Sequence, residues 1–153
     1  MITQVNLTTL TLPSSRLQQL IVDRSSNGQV YVYISDADTR SIIVYNVEKN
    51  QGHRIYLPDE INFKGNRKNV LYMAYVRQSK DTSFVYFTCL GSDRLFSINT
   101  EYLKGANIGG CINDVGIKHD KKMVILGTDN GSSIFFRDNK GRKKNIVYKI
   151  IGR

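Results

Sequence analysis

Two carboxylates separated by one residue form a pattern in this chain that could do chemistry. Asp36 and Asp38 end one apolar run, and a second apolar run from Ile42 to Tyr45 follows them. Carboxylates placed in this way in a loop could bind a hard cation. Acidic residues are also common turn formers, because their side chains accept hydrogen bonds from nearby amides. We favour the turn and predict no metal site.

The histidines and a glycine-rich segment offer no catalytic pattern. His53 precedes a predicted strand and His119 lies in a predicted turn, and the chain has neither a GxSxG nor an HExxH motif. Residues 127–133 are rich in glycine but lack the lysine and the helix of a phosphate-binding loop. We therefore predict surface histidines, a hairpin turn at residues 127–133, no catalytic residue and no cofactor.

The two cysteines, Cys89 and Cys111, suit either one disulfide or two buried thiols, and the sequence alone does not choose between them. A second cysteine pair or a histidine cluster would be needed for a zinc site, and the sequence has neither.

The chain is basic, with 22 Lys and Arg against 13 Asp and Glu in 153 residues and a net charge of +9. Such a balance raises the question of nucleic-acid binding. The positive residues are scattered, however, apart from short groups at residues 121–122 and 142–144. We expect weak attraction to acidic surfaces and no nucleic-acid partner. No apolar run approaches the ~18 residues of a membrane span, so we expect no membrane partner.

Short apolar strands separated by turns account for most of the sequence. Residues 29–47 predict a β-hairpin, and both of its strands are apolar at consecutive positions, so each needs cover on both faces. One short helix is expected at residues 100–104. The other predicted strands cover residues 5–12, 17–22, 53–57, 70–76, 84–90, 94–99, 112–118, 123–128, 132–138 and 145–151.

A unit of strand, small or acidic turn and strand recurs at residues 33–47, 86–100 and 124–138. A separate apolar strand precedes each copy, and the third of these is residues 112–118. The spacing matches the ~40 to 50 residues of a four-stranded β-propeller blade. We predict one all-β domain over residues 1–153, a partial β-propeller with about three blades. The approximate blades are residues 5–58, 70–104 and 111–151.

Five segments keep their order along the chain and carry a family resemblance. They are LIVD at residues 20–23, VYISDADTRSIIVYNV at 32–47, HRIYLP at 53–58, FVYFTCLGSDRLFSINTEYL at 84–103 and MVILGTDNGSSIFF at 123–136. Together they resemble the Yellow and major royal jelly protein family of insects. The chain departs from many relatives at residues 136–138, where Phe-Arg-Asp stands in place of Cys-Trp-Asn.

The resemblance implies a secreted, six-bladed propeller with a role in pigmentation, larval nutrition or the trapping of biogenic amines. We expect a non-enzymatic protein that binds a small ligand such as a biogenic amine, or a truncated copy of such a protein. The alternative is a dopachrome-converting isomerase in pigment formation. Three blades alone would expose apolar faces at both ends, so self-association could close the ring.

The candidate ligand residues come from the third cycle, at the end of the channel where inner strands and their loops converge. They are Asn113, Asp114, Thr128, Asn130 and Phe135. A cationic amine prefers carboxylate or amide acceptors and an aromatic face. Ordinary strand-end polar residues and a core phenylalanine would produce the same pattern.

Two sequons, at Asn6 and Asn130, could accept glycans if the protein is secreted. The first residues, 1–4, lack the charged and then apolar profile of a secretory signal. From the residues alone, either the chain is intracellular or its true beginning is missing. The family resemblance favours secretion.

Overall fold

Antiparallel strands build three sheets in a computed structural model of the chain. The structure describes residues 4–58, 61, 71–89, 92–107, 111–117, 124–129, 133–137 and the backbone of 145–149. Sheet 1 has the order β1 (Leu17–Arg24), β2 (Val30–Asp36), β3 (Ser41–Asn46) and β4 (Gln51–Tyr56). Sheet 2 has the order β5 (Leu71–Arg77), β6 (Ser83–Cys89), β7 (Arg94–Asn99) and β8 (Ile112–Ile117). Sheet 3 contains β9 (Val124–Thr128), β10 (Ser133–Arg137) and β11 (Asn145–Lys149).

The predicted hairpin and the predicted helix are both confirmed. β2 and β3 pair from Tyr31 opposite Asn46 to Asp36 opposite Ser41. Helix α1 (Thr100–Lys104) follows β7, and the Asn99 side chain caps it by accepting a hydrogen bond from the backbone N–H of the second helical residue.

The first strands of the three sheets lie side by side, because β5 packs between β1 and β9. Each sheet then extends away from this seam through consecutive antiparallel neighbours. Sheets that radiate from a shared set of inner strands are the arrangement of β-propeller blades. The predicted all-β class and the partial propeller are therefore confirmed.

Sheet 2 is covered by apolar side chains on both faces, as the consecutive apolar residues predict. One core lies between sheets 1 and 2 and includes Tyr33, Ile42, Val44, Met73, Phe87 and Ile98. The other lies between sheets 2 and 3 and includes Ala74, Val76, Tyr86, Ile125, Ile134 and Phe136. Because residues alternate along β5, Met73 and Ala74 enter different cores.

The strand at Ile112–Ile117 belongs to sheet 2, which corrects the boundary expected between the second and third blades. β8 pairs with β7 from Ile98 opposite Ile112 to Arg94 opposite Ile117. The sequence reading placed this strand at the start of the third blade, because a short apolar strand precedes each of the other two repeats. Hydrogen bonding to β7 makes it the outer edge of the second blade instead.

Residues 5–12 do not form the predicted strand. The Asn6 carboxamide accepts hydrogen bonds from the backbone N–H of Thr8 at 2.9 Å and from its hydroxyl at 2.6 Å. This turn competes with extended backbone and leads into a short 3-10 helix at Thr8–Leu10. The Leu10 side chain then packs over Gly52, where an added Cβ would lie only 2.7 Å from it.

Register excludes the disulfide between Cys89 and Cys111 that the sequence left open. Both residues are thiols in the structure. Cys89 ends β6 beside Arg94, whose carbonyl accepts the Thr88 hydroxyl at 2.7 Å, whereas Cys111 precedes Ile112 at the other end of β7. The length of β7 separates the two by ~15 Å, and bonded cysteines have Cα atoms within ~7 Å.

The face of sheet 1 that points away from sheet 2 exposes several apolar side chains. Leu20 is 58% exposed and Val22 is 46% exposed. The expected self-association through such faces stays a prediction. Within the described residues, no helix is long and apolar enough to cross a membrane.

Candidate functional site

The structure does not gather the predicted ligand residues into one site. Asn113 and Asp114 are exposed on β8, the edge strand farthest from the inner strand of sheet 2, and Asp114 forms an ion pair with Arg94. Thr128 ends β9 and lies opposite Ile134 of β10, so these two side chains share one face of sheet 3. Phe135 follows Ile134 in β10 and therefore points to the other face. Asn130 lies outside the described residues.

The paired carboxylates of the β2–β3 turn are structural. Asp36 is fully buried, and its Oδ2 accepts a hydrogen bond from Arg54 at 2.7 Å while its Oδ1 accepts the Arg16 N–H at 2.7 Å. Asp38 pairs with Arg16 at 3.1 Å. Burial alone would raise the pKa of Asp36, but hydrogen bonds from Ser15, Arg54 and Arg16 outweigh it and lower the pKa to about 2.

A second buried carboxylate, Asp23, lies at the opposite end of sheet 1 and faces sheet 2. It is 1% exposed. Its Oδ2 accepts the Tyr33 hydroxyl at 3.1 Å and its Oδ1 accepts the Tyr75 hydroxyl at 2.7 Å. Asp23 and its cross-strand partner Tyr31 point to the same face of sheet 1. Tyr33 lies two residues after Tyr31 in β2, so its side chain points to that face as well. The carboxylate therefore joins β1, β2 and the inner strand of sheet 2.

Helix α1 brings an ammonium group into this cluster. Lys104 Nζ lies 3.0 Å from Asp23 Oδ2 and 3.1 Å from Glu101 Oε1, and 5.0 Å from the centre of the Tyr31 ring. Two carboxylates and an aromatic face are the groups that bind a primary ammonium well. The Lys104 side chain is 14% exposed. Arg77 also lies near, 3.8 Å from Asp23.

The pKa shifts in the cluster follow from burial and charge. Burial is the largest cause of the raised pKa of Tyr33, and the adjacent negative charge of Asp23 raises it further. Burial alone would lower the pKa of Lys104, but Asp23 and Glu101 together raise it. Tyr33 therefore stays protonated as a donor, and Lys104 stays charged.

A polar cavity of about 330 Å3 opens beside this cluster, and we call it the Asp23 cavity. The β1–β2 turn (residues 25–29), the β5–β6 turn and α1 surround it. Among the described lining residues are three carboxylates, Asp23, Asp81 and Glu101, and three cations, Arg77, Lys80 and Lys104. Such a lining suits a small polar or charged molecule rather than an apolar one.

A separate cavity of about 380 Å3 lies on the inner strands, where the sequence reading expected a ligand. Gln18, Gln19, Tyr72 and Ile125 line it. Gln18 Oε1 already accepts the N–H of Leu71 at 3.1 Å, and Gln19 Oε1 accepts the N–H of Met73 at 2.7 Å. Both amide oxygens therefore serve to join β1 to β5. The described lining of this cavity includes no carboxylate that could bind an amine.

Sequence reasoning missed Asp23 and Lys104 and misjudged His53. The signal for Asp23 was a lone acid at the end of the apolar run LIVD, and the signal for Lys104 was its place in the last turn of the one predicted helix. His53, expected at the surface, is half-buried, and its Nε2 hydrogen-bonds the Leu103 carbonyl at 2.8 Å. His119 lies outside the described residues.

The described residues contain no cluster of three or more His, Cys, Asp or Glu side chains that could hold a metal ion. A search of the curated proteins finds no match. The family model described as "Major royal jelly protein" matches residues 1–147. This match covers nearly the whole chain and agrees with the radiating sheets. The chain therefore belongs to the major royal jelly protein family.

Proposed function

We propose that this protein is a secreted, non-enzymatic binder of a small primary amine, and that the Asp23 cavity is its ligand site. The single observation that carries the proposal is the position of the Lys104 ammonium. It is held by Asp23, Glu101 and the Tyr31 ring within 3.0 Å, 3.1 Å and 5.0 Å. The cavity thus already binds one primary ammonium, which belongs to the chain itself.

An amine ligand would use the solvent side of the same group of residues. Glu101 is 68% exposed, so its carboxylate can turn toward a molecule in the cavity. The exposed Asp81 offers a second carboxylate on the same lining. The hydroxyl and amide side chains of residues 25–29 supply partners for polar groups on the rest of the ligand. Lys104 would compete with the ligand for Glu101.

Secretion is part of this proposal and rests on family membership together with Asn6. This residue is exposed in a sequon, and its side chain bonds the Thr8 hydroxyl of the same sequon at 2.6 Å. An exposed acceptor asparagine is what a glycan requires. The second sequon, at Asn130, lies outside the described residues.

Titration calorimetry with dopamine, serotonin and histamine tests the proposal. We expect saturable heat with at least one amine and about three- to tenfold weaker binding by Glu101→Gln, since a charge pair of about 1 kcal/mol is removed. Lys104→Met should bind the amine several-fold more tightly, because the internal competitor is gone. Arg137→Met removes the same charge from an exposed position on sheet 3 and serves as the matched control.

Three results would contradict the proposal. The first is no heat with any of the three amines from folded protein. The second is an equal change in affinity for Lys104→Met and Arg137→Met, which would place the amine elsewhere. The third is accelerated loss of dopachrome absorbance, which would replace binding by the isomerase alternative.

A further inference from the structure

A smaller cavity of about 230 Å3 lies directly behind the Asp23 cavity, and we call it the Asn46 cavity. Tyr31 and Lys104 line both cavities and so form the wall between them. Strand register creates the rest of the lining. Tyr31 lies opposite Asn46, and Val44 lies opposite His53, so their side chains share the face of sheet 1 that points to sheet 2.

The Asn46 side chain has a hydrogen-bond donor that the fold does not use. Asn46 is only 6% exposed. Its Oδ1 accepts the backbone N–H of Lys49 at 2.9 Å, which fixes the orientation of the amide. Its Nδ2 is buried and has no acceptor among the described residues. A buried donor without a partner is unfavourable, so an acceptor atom in the cavity would be stabilised there.

The charged residues that line this cavity are both cationic. They are Lys49 and Lys104, and the described lining includes no carboxylate, although Lys104 also pairs with Asp23 and Glu101 on the side of the Asp23 cavity. His53 Nε2 hydrogen-bonds the Leu103 carbonyl at 2.8 Å and is therefore not available to a ligand. Val44 and the Tyr31 ring supply an apolar wall. Donors, positive charge and a short apolar surface together match a carboxylate on a small hydrocarbon group.

We propose that the Asn46 cavity binds the carboxylate of a small organic acid. The Asn46 amide donates to one oxygen, Lys49 supplies positive charge, and Lys104 adds an ammonium group that it shares with Asp23 and Glu101. The volume of about 230 Å3 exceeds the ~30 Å3 share of one water several-fold, so a molecule of a few heavy atoms fits. This site is distinct from the amine site, because its charged lining residues are cationic whereas the Asp23 cavity is lined by carboxylates as well as cations.

NMR titration of 15N-labelled protein with propionate tests the site directly. We expect a saturable shift of the Asn46 side-chain amide and of residues around the β3–β4 turn. Propionamide, which has the same shape without the charge, should bind at least tenfold more weakly. Sodium chloride at equal ionic strength should give no saturable shift. Ordered water alone in the cavity, with no saturable propionate shift, would overturn the proposal, and so would equal binding of propionamide.

Variants separate this site from general charge attraction. Asn46→Asp keeps the oxygen that accepts the Lys49 N–H but replaces the donor by an acceptor, so propionate binding should be lost. Lys49→Gln changes an exposed side chain and should weaken binding about fivefold with the fold intact, whereas the matched Arg137→Gln should not change it. Equal weakening by Lys49→Gln and Arg137→Gln would reduce the effect to surface charge and overturn the proposal.

Lys104→Met distinguishes this proposal from the amine proposal, because the two predict opposite changes. Removal of the ammonium should weaken propionate binding and strengthen amine binding. Weaker propionate binding with no amine binding would support the carboxylate site and overturn the amine site. Unchanged propionate binding would remove Lys104 from the carboxylate site and contradict the proposal as stated.

Discussion

Asp23 and Asp36 are equally buried aspartates at opposite ends of sheet 1, and their hydrogen-bond partners differ in origin. Asp23 is 1% exposed and Asp36 is 0% exposed. The donors to Asp36 come from within sheet 1 and the segment before it, namely Arg54 and the Arg16 N–H. The donors to Asp23 come from two sheets and α1, and a cavity opens beside them.

Burial alone therefore does not distinguish Asp36 from Asp23, the carboxylate that we propose as part of a binding site. The hydrogen-bond partners of Asp36 lie within sheet 1 and in the segment directly before it. The partners of Asp23 include Lys104, whose second carboxylate, Glu101, is largely exposed. The proposed amine site depends on this difference, because a ligand can reach the Asp23 cluster only where a partner can exchange with solvent.

The largest expected effect is the loss of Arg54. Its guanidinium also donates to Thr39 at 2.6 Å and to Ser41 at 2.6 Å, so Arg54→Met removes a donor from the buried Asp36 and Ser41 and from the half-buried Thr39. We expect a loss of about 3–5 kcal/mol in the free energy of unfolding, the usual result of breaking a buried pair. Urea unfolding measures it. Lys104→Met should cost less, because Asp23 retains two tyrosine donors; an equal loss in both variants would contradict the comparison.

A smaller effect is expected from Tyr75→Phe, which removes a 2.7 Å hydrogen bond to a charged acceptor across the interface between sheets. We expect a loss of about 1.5–3 kcal/mol in urea unfolding. Tyr56→Phe, at a residue that is 58% exposed, is the matched control and should change little. If the two variants lose the same stability, Asp23 does not depend on its tyrosine donors.

The smallest expected effect is the acid response of Asp36. Its pKa is lowered from 3.8 to about 2 on folding, so its contribution is present above pH 4 and is lost as the pH falls toward 2. Between pH 5 and pH 3 this amounts to about 1 kcal/mol of unfolding free energy. Asp36→Asn should flatten the pH dependence by that amount in urea unfolding at each pH. An unchanged slope would show that other groups cause the acid response.

Much of the fold could be predicted because strands have a recognisable local pattern of apolar residues in the sequence. The apolar runs of β2, β3 and β5 signal burial on both faces, and the spacing of the repeats signals blades. Ile112–Ile117 was assigned to the wrong blade because an edge strand and an inner strand of this length look alike until their partner is known. Residues 5–12 alternate like a strand, but the Asn6 side chain creates a turn.

The sequence by itself determined the all-β class, the repeat, the family and the residue types that could meet an amine. Only the tertiary structure decided which of them meet. Asp23, Tyr75 and Lys104 come from two sheets and a helix, separated by tens of residues. Their encounter depends on how the sheets pack, and the Asn46 donor depends on strand register. Local sequence encodes the direction of each side chain along its strand, whereas contact between strands is fixed by the packing of the whole domain.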